Sequence, residues 1–163
     1  MFLLQRSILA AGFACLAAPA VAQQQPTRFD VTHCFAGTIS VVAQAQAYNV
    51  FSLDFRGTLR AAEQGGALDR HVTRCLAIGG TVGGEPNRIS GFCEYAASPE
   101  DRILTQWTVE AAGQGSGKSV AGTGRYRGVS GEYSIQPVGG PFPATEPGVL
   151  RNCTRLTGEY RIP

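Results

Sequence analysis

The sequence predicts an all-β protein, built as a sandwich or a barrel. Four segments alternate apolar and polar residues with a period of two, which places their apolar side chains on one face of a strand. Clusters of glycine, proline, serine and acidic residues separate the segments at intervals typical of antiparallel hairpins. After residue 22 no apolar period of 3.6 is present, and a short helical turn over Leu59 to Gln64 is the most that the pattern allows.

Each alternating segment is expected to be a strand with one buried face. The residues in the apolar phase are Leu53, Phe55, Gly57 and Leu59 in the first segment, Ile103, Thr105, Trp107 and Val109 in the second, Val129, Gly131, Tyr133 and Ile135 in the third, and Leu156, Gly158, Tyr160 and Ile162 in the last. The opposite phase, which is expected to face water, holds five acidic residues: Asp54, Glu94, Glu110, Glu132 and Glu159. These positions do not favour a pair of catalytic carboxylates converging in one cleft.

The first 22 residues have the composition of a cleaved secretory leader. Arg6 supplies a positive charge, Ser7 to Leu16 is almost wholly apolar, and Ala20-Val21-Ala22 is a small-x-small cleavage pattern. The apolar stretch is shorter than the roughly 20 residues that cross a bilayer, which argues against a retained anchor. Gly12-Phe13-Ala14-Cys15 departs from a lipidation signal. We therefore predict cleavage after residue 22 and a periplasmic or secreted product.

The remaining chain is expected to form a single domain. Removal of 22 residues from 163 leaves 141, which is long enough for one hydrophobic core. Residues 1–22 are thus a signal peptide and residues 23–163 one β domain. The net charge of the full chain is only +2, so neither a nucleic acid nor, after cleavage, a membrane is expected as a partner. The scattered arginines are interpreted as solvated outer faces of strands.

Cleavage leaves four cysteines, Cys34, Cys75, Cys93 and Cys153, which in an exported chain predict two disulfides. Cys75 and Cys93 lie nine residues on either side of position 84, in the middle of a Gly-Gly-Glu-Pro turn. In a regular hairpin they stand opposite each other, close enough to bond. Elimination pairs Cys34 with Cys153, which joins the first strand to the last and suits a closed barrel. A zinc site is not predicted, because no C-x-x-C spacing occurs.

The segment Gly122 to Gly131 has the form G-T-G-x-Y-x-G-x-x-G. It resembles the glycine-rich hairpin found late in the chain of allene oxide cyclase-like and dirigent-like proteins. The resemblance implies a single eight-stranded antiparallel barrel, calycin-like or allene oxide cyclase-like, with an apolar cavity and often a homo-oligomeric state. In such proteins ligands are held or cyclised with little acid-base chemistry. The glycines Gly122, Gly124, Gly128 and Gly131 are expected to shape a tight corner of the barrel.

No catalytic residue is carried over from these families. No position matches the catalytic glutamate of the cyclases or the paired aspartates of dirigent pockets, and two disulfides are not a cyclase feature. The segment Ala112 to Ser119 approaches a phosphate-binding loop but lacks its first glycine, so we interpret it as a hairpin tip and predict no cofactor. His33 and His71 are the only imidazole bases, and both are interpreted as packing or surface residues.

The candidate ligand-binding residues are aromatic. Phe55, Tyr95, Trp107, Tyr133 and Tyr160 share the phase of the apolar residues in their strands and can line one cavity. Rings with a polar tip supply apolar area together with one oriented hydrogen bond. The alternative is that these rings fill the interior, because an eight-stranded barrel leaves just enough space for its own side chains.

The first functional hypothesis is an exported, disulfide-bonded barrel that binds a small apolar or aromatic molecule without evident catalysis. The segment Pro137 to Gly148 would then be its lid. A second hypothesis is a cyclase or isomerase on the same barrel, which requires a polar group inside the cavity. The third is an inhibitor or interaction module that acts on an extracellular protein through the long loop or an arginine-rich rim.

Overall fold

The computed structural model describes residues 25–139 and 146–163. Its strands are β1 (Thr27–Ala45), β2 (Tyr48–Ala61), β3 (Val72–Val82), β4 (Glu85–Pro86), β5 (Ile89–Ala96), β6 (Arg102–Val109), β7 (Gly115–Gly122), β8 (Ser130–Pro137) and β9 (Val149–Arg161). One turn of 3-10 helix, Gly124–Tyr126, lies between β7 and β8. The leader and its cleavage site lie outside the described residues.

Eight strands form a closed antiparallel barrel. Each strand of the wall pairs with the next in sequence, in the order β1, β2, β3, β5, β6, β7, β8 and β9, and β9 then pairs with β1. The two-residue β4 is not counted in this wall. It pairs only with the end of β3. The predicted eight-stranded antiparallel barrel is confirmed, with the simplest up-and-down connection.

The up-and-down order sends alternate connections to opposite ends of the barrel. The hairpin end carries residues 46–47, 83–88 and 110–114 and the connection between β8 and β9. The corner end carries residues 62–71, 97–101 and 123–129. Residues 140–145 of the predicted lid lie outside the described part of the chain.

The interior is formed by alternate residues of each strand, as the period of two predicts. Its fully buried side chains come from all around the wall and include Val31, Leu59, Cys75, Ile103 and Thr105. The acidic residues of the opposite phase lie on the outer surface, where four of them form ion pairs with arginines: Arg74–Asp54, Arg88–Glu110, Arg102–Glu94 and Arg161–Glu159. The arginines of these four pairs therefore lie on the outer surface of the barrel.

Both predicted disulfides are present. Cys34 stands directly opposite Cys153 in the β1–β9 pairing, and Cys75 opposite Cys93 in the β3–β5 pairing. The first bond lies on the outer side of the wall, since Cys34 is exposed. Cys75 and Cys93 are buried inside the barrel. One disulfide therefore fastens the closure seam and the other spans two strands from within.

The β3–β5 hairpin is less regular than the cysteine spacing implies. Its tip pairs Val82 with Glu85 around Gly83 and Gly84, whose φ angles of 63° and 85° fit a two-residue hairpin turn. The Val82–Glu85 pair is centred between positions 83 and 84. Nearer the barrel, Ile78 pairs with Ser90, and this pair is centred on position 84, which is a shift of half a residue. The chain between β4 and β5 absorbs the change in register, and the cysteines still face each other.

The glycine-rich motif forms the corner between β7 and β8. Gly124 and Gly128 have φ angles of 55° and 76°, a region that side chains rarely adopt. A Cβ on Gly122 would clash with the carbonyl oxygen of Tyr126. The 3-10 turn lies in this motif, whereas the helical turn allowed over residues 59–64 was wrong, because β2 continues to Ala61 and a bend follows it.

The outer face of β3 and β5 keeps large apolar side chains in contact with water. Val72, Leu76, Ile78 and Phe92 are between 48% and 61% exposed. Leu76 and Phe92 are direct neighbours across the two strands. This face therefore offers apolar surface for contact with a second copy of the chain. The homo-oligomer stays a prediction.

Removing each disulfide should destabilise the fold by a different amount. Replacing Cys34 and Cys153 with alanine should lower the free energy of unfolding by about 5 kcal/mol, and replacing Cys75 and Cys93 by about 3 kcal/mol, on the chain-entropy model. The reason is that the bonded residues are 119 and 18 positions apart. Urea unfolding followed by circular dichroism measures both values. Equal losses would contradict the dominant role of the closure seam.

Candidate functional site

The barrel encloses an apolar cavity of about 70 Å³ in its hairpin-end half. Four of the five predicted aromatic residues line it, namely Phe55, Tyr95, Trp107 and Tyr133. The rest of the lining comes from His33, Phe35, Cys93, Val109, Ile135, Thr154 and Leu156. We call this cavity the lumen site. It is smaller than the several hundred cubic ångströms of ordinary small-molecule pockets.

Phe55 lies at the centre of a group of rings that forms one side of the lumen site. Its ring centroid lies 6.1 Å from that of Trp107, with the planes inclined at 62°, and 4.6 Å from that of Phe35. The imidazole of His33 lies 4.9 Å from the Phe35 ring. Phe35 is only half-buried and is itself one of the lining residues of the site. A half-buried phenylalanine ring therefore forms part of the wall of the lumen site.

A chain of hydroxyl groups links β5, β6 and β8 inside the barrel. The Tyr133 hydroxyl donates to Thr105 Oγ1 at 3.1 Å, and Thr105 donates to the carbonyl oxygen of Cys93 at 3.3 Å. Tyr95 lies 3.2 Å from the Tyr133 oxygen and must donate to it, because the Tyr133 proton is already used. Each of the three hydroxyl groups thus donates to the next group in the chain, and all three protons have acceptors within the protein.

Burial sets the ionisation of these tyrosines. Desolvation raises the pKa of Tyr133, and it raises the pKa of Tyr95 well above its ordinary value. Both phenols are therefore neutral at physiological pH. Since their protons are already donated inside the chain, they position the wall of the site and do not serve as bases.

His33 is buried in the same lumen. Its Nε2 atom lies 2.8 Å from the Thr73 hydroxyl of β3, the strand on the other side of β2. Desolvation lowers the pKa of His33 to about 4. The imidazole is therefore uncharged at neutral pH, and it brings a polar but neutral ring to an otherwise apolar lining.

Trp107 contributes the one unusual polar group of the site. Its side chain is 8% exposed, and its Nε1 atom is buried without a hydrogen-bond acceptor among the described residues. A buried donor without a partner costs about 1–3 kcal/mol. Because Trp107 also lines the cavity, an acceptor on a bound molecule would remove this penalty.

Tyr160, the fifth predicted aromatic residue, lies elsewhere. It is at the corner end, with its ring centroid 6.1 Å from that of Tyr126 and 6.3 Å from that of Phe29. His71 is also at that end, where its Nε2 atom is 2.8 Å from the Tyr126 hydroxyl. His33 and His71 therefore have separate hydrogen-bond partners and form no catalytic pair.

Seven lining residues of the lumen site were not predicted as ligand-binding, and two of them, His33 and Phe35, lie on β1. Both follow Val31 with the strand period of two, and the intervening Thr32 and Cys34 face outward. The alternation in this segment could have assigned them to the interior. It was hidden because β1 continues as a mostly uncharged strand whose later residues are exposed on both faces.

The described residues contain no group of three or more histidine, cysteine, aspartate or glutamate side chains placed to hold a metal ion. All four cysteines in this part of the chain are oxidised to disulfides. Within the same residues there is also no helix with the length and apolar character needed to cross a membrane.

Comparison with known proteins identifies a shared fold. No family model matches the sequence, and no curated protein matches it. A solved structure of a dirigent protein, described as a pterocarpan synthase, is similar to this chain with a TM-score of 0.53 at 13% sequence identity. The match covers 94% of this chain and 100% of the other. The dirigent-like barrel inferred from the glycine-rich motif is therefore confirmed as a fold.

Proposed function

We propose that this protein is an exported barrel that binds a small, mostly apolar molecule carrying a hydrogen-bond acceptor. The observation that carries the proposal is the buried, unpaired N–H group of Trp107 at the edge of an apolar cavity lined by aromatic rings. Apolar lining with a few oriented polar groups is the usual composition of a small-molecule site. The dirigent protein of the same fold is described as a synthase, which supports a small molecule as the occupant.

Export is supported by the leader and by the disulfides. The leader pattern in residues 1–22 predicts passage across a membrane. Two disulfides form and persist in oxidising compartments such as the periplasm or the extracellular medium. The proposed ligand is therefore a molecule present outside the cytoplasm.

The size of the cavity limits the ligand. At about 70 Å³ it is about half the volume of the roughly 150 Å³ apolar cavity that accommodates benzene. As it stands, the lumen site accepts a molecule of only a few heavy atoms. A six-membered ring requires more volume, and Phe35 is a half-buried lining residue whose truncation would supply it.

A matched pair of ligands tests the role of Trp107. Phe35→Ala enlarges the site, and this variant should bind cyclohexanone about fivefold more tightly than the isosteric hydrocarbon methylenecyclohexane, because one hydrogen bond contributes about 1 kcal/mol. Trp107 is the only tryptophan of the chain, so its fluorescence reports occupancy of the lumen directly. Titration of each compound against fluorescence measures the two affinities.

Trp107→Phe in the same background is the control. It keeps a ring and removes the N–H group, so the preference for the ketone should disappear, as measured by isothermal titration calorimetry. The ratio of the two affinities is the readout, because any change in cavity volume acts on both compounds. Failure of both compounds to bind Phe35→Ala would exclude the lumen as a ligand site.

A second candidate function, an isomerase that moves a proton within an apolar substrate, is favoured by His33. The neutral imidazole lines the cavity and can accept a proton. Its strength as a base depends on its pKa, which burial lowers to about 4. A pKa this low makes His33 a weak base, so ligand binding is the better supported function.

The pKa of His33 can be measured through stability. The unfolded chain protonates this histidine near pH 6.5 and the folded chain only near pH 4. The free energy of unfolding should therefore fall by about 3 kcal/mol as the pH is lowered through this window. Burial also lowers the pKa of His71, which adds to the fall with the same sign. Urea unfolding at a series of pH values gives the curve.

His33→Gln is the matched control for this measurement. Glutamine can keep a hydrogen bond to Thr73 but does not titrate, so its curve should be flatter than that of the unaltered protein between pH 6.5 and pH 4. A slope equal to that of the unaltered protein would mean that the pKa of His33 is ordinary. His33 would then be a stronger base, and the isomerase would become the better candidate.

A further inference from the structure

A second cleft lies at the corner end of the barrel, away from the lumen site. It has a volume of about 700 Å³ and lies between the β2–β3 loop, the 3-10 turn and the end of β9. Two arginines, Arg70 and Arg125, border it, and two tyrosines, Tyr126 and Tyr160, form its base. We call it the corner cleft.

Arg70 has a left-handed backbone conformation that is held by hydrogen bonds to Leu59. The N–H of Arg70 donates to the Leu59 carbonyl oxygen at 3.0 Å, and the N–H of Leu59 donates to the carbonyl oxygen of His71 at 2.9 Å. The φ angle of Arg70 is 60°, in the left-handed region that disfavours residues with a side chain. Leu68 in the same loop has a φ of 64°, but it is 4% exposed and fills the end of the core. The side chain of Arg70 is 67% exposed, and among the described residues it has only a 3.7 Å ion pair with Asp69. This conformation places the exposed guanidinium at the border of the cleft.

Arg125 is fixed at the rim of the cleft by three contacts. Its backbone N–H donates to Asp101 Oδ1 at 2.9 Å, and its guanidinium donates to the Tyr126 hydroxyl at 3.0 Å. The guanidinium also lies 4.9 Å from the centre of the Tyr126 ring. Only one of its five N–H groups makes a hydrogen bond to a described residue, and its side chain is 58% exposed.

The acidic neighbours leave the two guanidinium groups largely available. The Asp69 carboxylate accepts hydrogen bonds from the backbone N–H groups of Ala61 and Gly65, at 3.0 and 3.2 Å. Asp101 accepts from the backbone of Arg125. Each carboxylate is thus held by backbone donors, and its distance to the nearby guanidinium is 3.6 Å or more.

The base of the cleft is neutral and rigid. His71 Nδ1 donates to the carbonyl oxygen of Asp69, which leaves Nε2 to accept from the Tyr126 hydroxyl at 2.8 Å. The oxygen of Tyr126 in turn accepts from Arg125. The rings of Tyr126 and Tyr160 are inclined at 76° with centroids 6.1 Å apart. Tyr126 is 3% exposed, so the aromatic surface open to a ligand beside the two arginines is that of the partly buried Tyr160.

We propose that the corner cleft binds a small aromatic carboxylate, with its oxygens held by Arg70 and Arg125 and its ring against Tyr160. Guanidinium groups bind the two oxygens of a carboxylate in parallel. Phosphate offers the same oxyanion chemistry, but it does not use the aromatic surface. The ligand is therefore distinguished from free phosphate by its ring, and the site is independent of the lumen.

The test uses the mature chain with both disulfides formed, and sodium benzoate as the probe. Benzoate should bind saturably and at least tenfold more tightly than inorganic phosphate, measured by chemical-shift changes in two-dimensional NMR spectra. The shifted signals should belong to the loop of residues 62–71 and the corner of residues 123–129. Tighter binding of phosphate, or shifts confined to the lumen, would overturn the proposal.

Arg70→Gly separates binding from folding. Glycine tolerates a φ of 60°, so this variant should keep or raise its melting temperature while its affinity for benzoate falls at least tenfold. Arg125→Gln should weaken binding to a similar extent. Arg151→Gln, which removes the same charge from an exposed position of β9, should bind benzoate as the unaltered protein does. Unchanged affinity in Arg70→Gly, or an equal loss in Arg151→Gln, would refute the site.

Discussion

The pairing of β1 with β9 is the constraint on which the rest of the structure depends. It joins the two ends of the chain along twelve opposed residue pairs, from Thr27 with Tyr160 to Thr38 with Val149. Without it the other strands would form an open sheet with two edges and no interior. The Cys34–Cys153 bond fixes the register of this seam, and a shift by one residue would turn every inward side chain of β1 to the solvent. The lumen exists because this register is held.

Inside the closed barrel, most buried polar side chains find partners. The hydroxyls of Tyr95, Tyr133 and Thr105 form one directed chain that ends on a backbone carbonyl, and His33 is matched with Thr73. Two buried side-chain atoms have no partner among the described residues, Asn49 Oδ1 and Trp107 Nε1. Of these two residues, Trp107 lines the lumen site. Its unpaired N–H is therefore the polar feature of the lining that a ligand can satisfy.

The sequence predicted the wall better than the site. A period of two identifies inward residues in any strand, and opposed positions in a hairpin predicted the Cys75–Cys93 bond, so both of these followed from local arithmetic. The Cys34–Cys153 bond followed by elimination. The eight-stranded barrel, as distinct from a sandwich, was implied by the resemblance of residues 122–131. The site depends on position along the barrel axis, which alternation does not encode. Tyr160 has the same inward phase as Trp107, yet it lies at the opposite end because β9 pairs with the beginning of β1. His33 and Phe35 were missed since the exposed half of β1 obscured the alternation of its buried half.

The two ends of the barrel have different chemistry because its connections alternate between them. At the corner end, backbone hydrogen bonds close the loop of residues 62–71, and buried Leu68 and Tyr126 seal the interior. At the hairpin end, the partly buried apolar residues Phe35, Phe51 and Ile89 lie against the core. Backbone hydrogen bonds hold the described loops there as well, for example from the N–H of Gly83 to the carbonyl oxygen of Ala47 at 2.8 Å. What distinguishes the corner end is therefore its chemistry, because two exposed arginines, Arg70 and Arg125, border the cleft on that side.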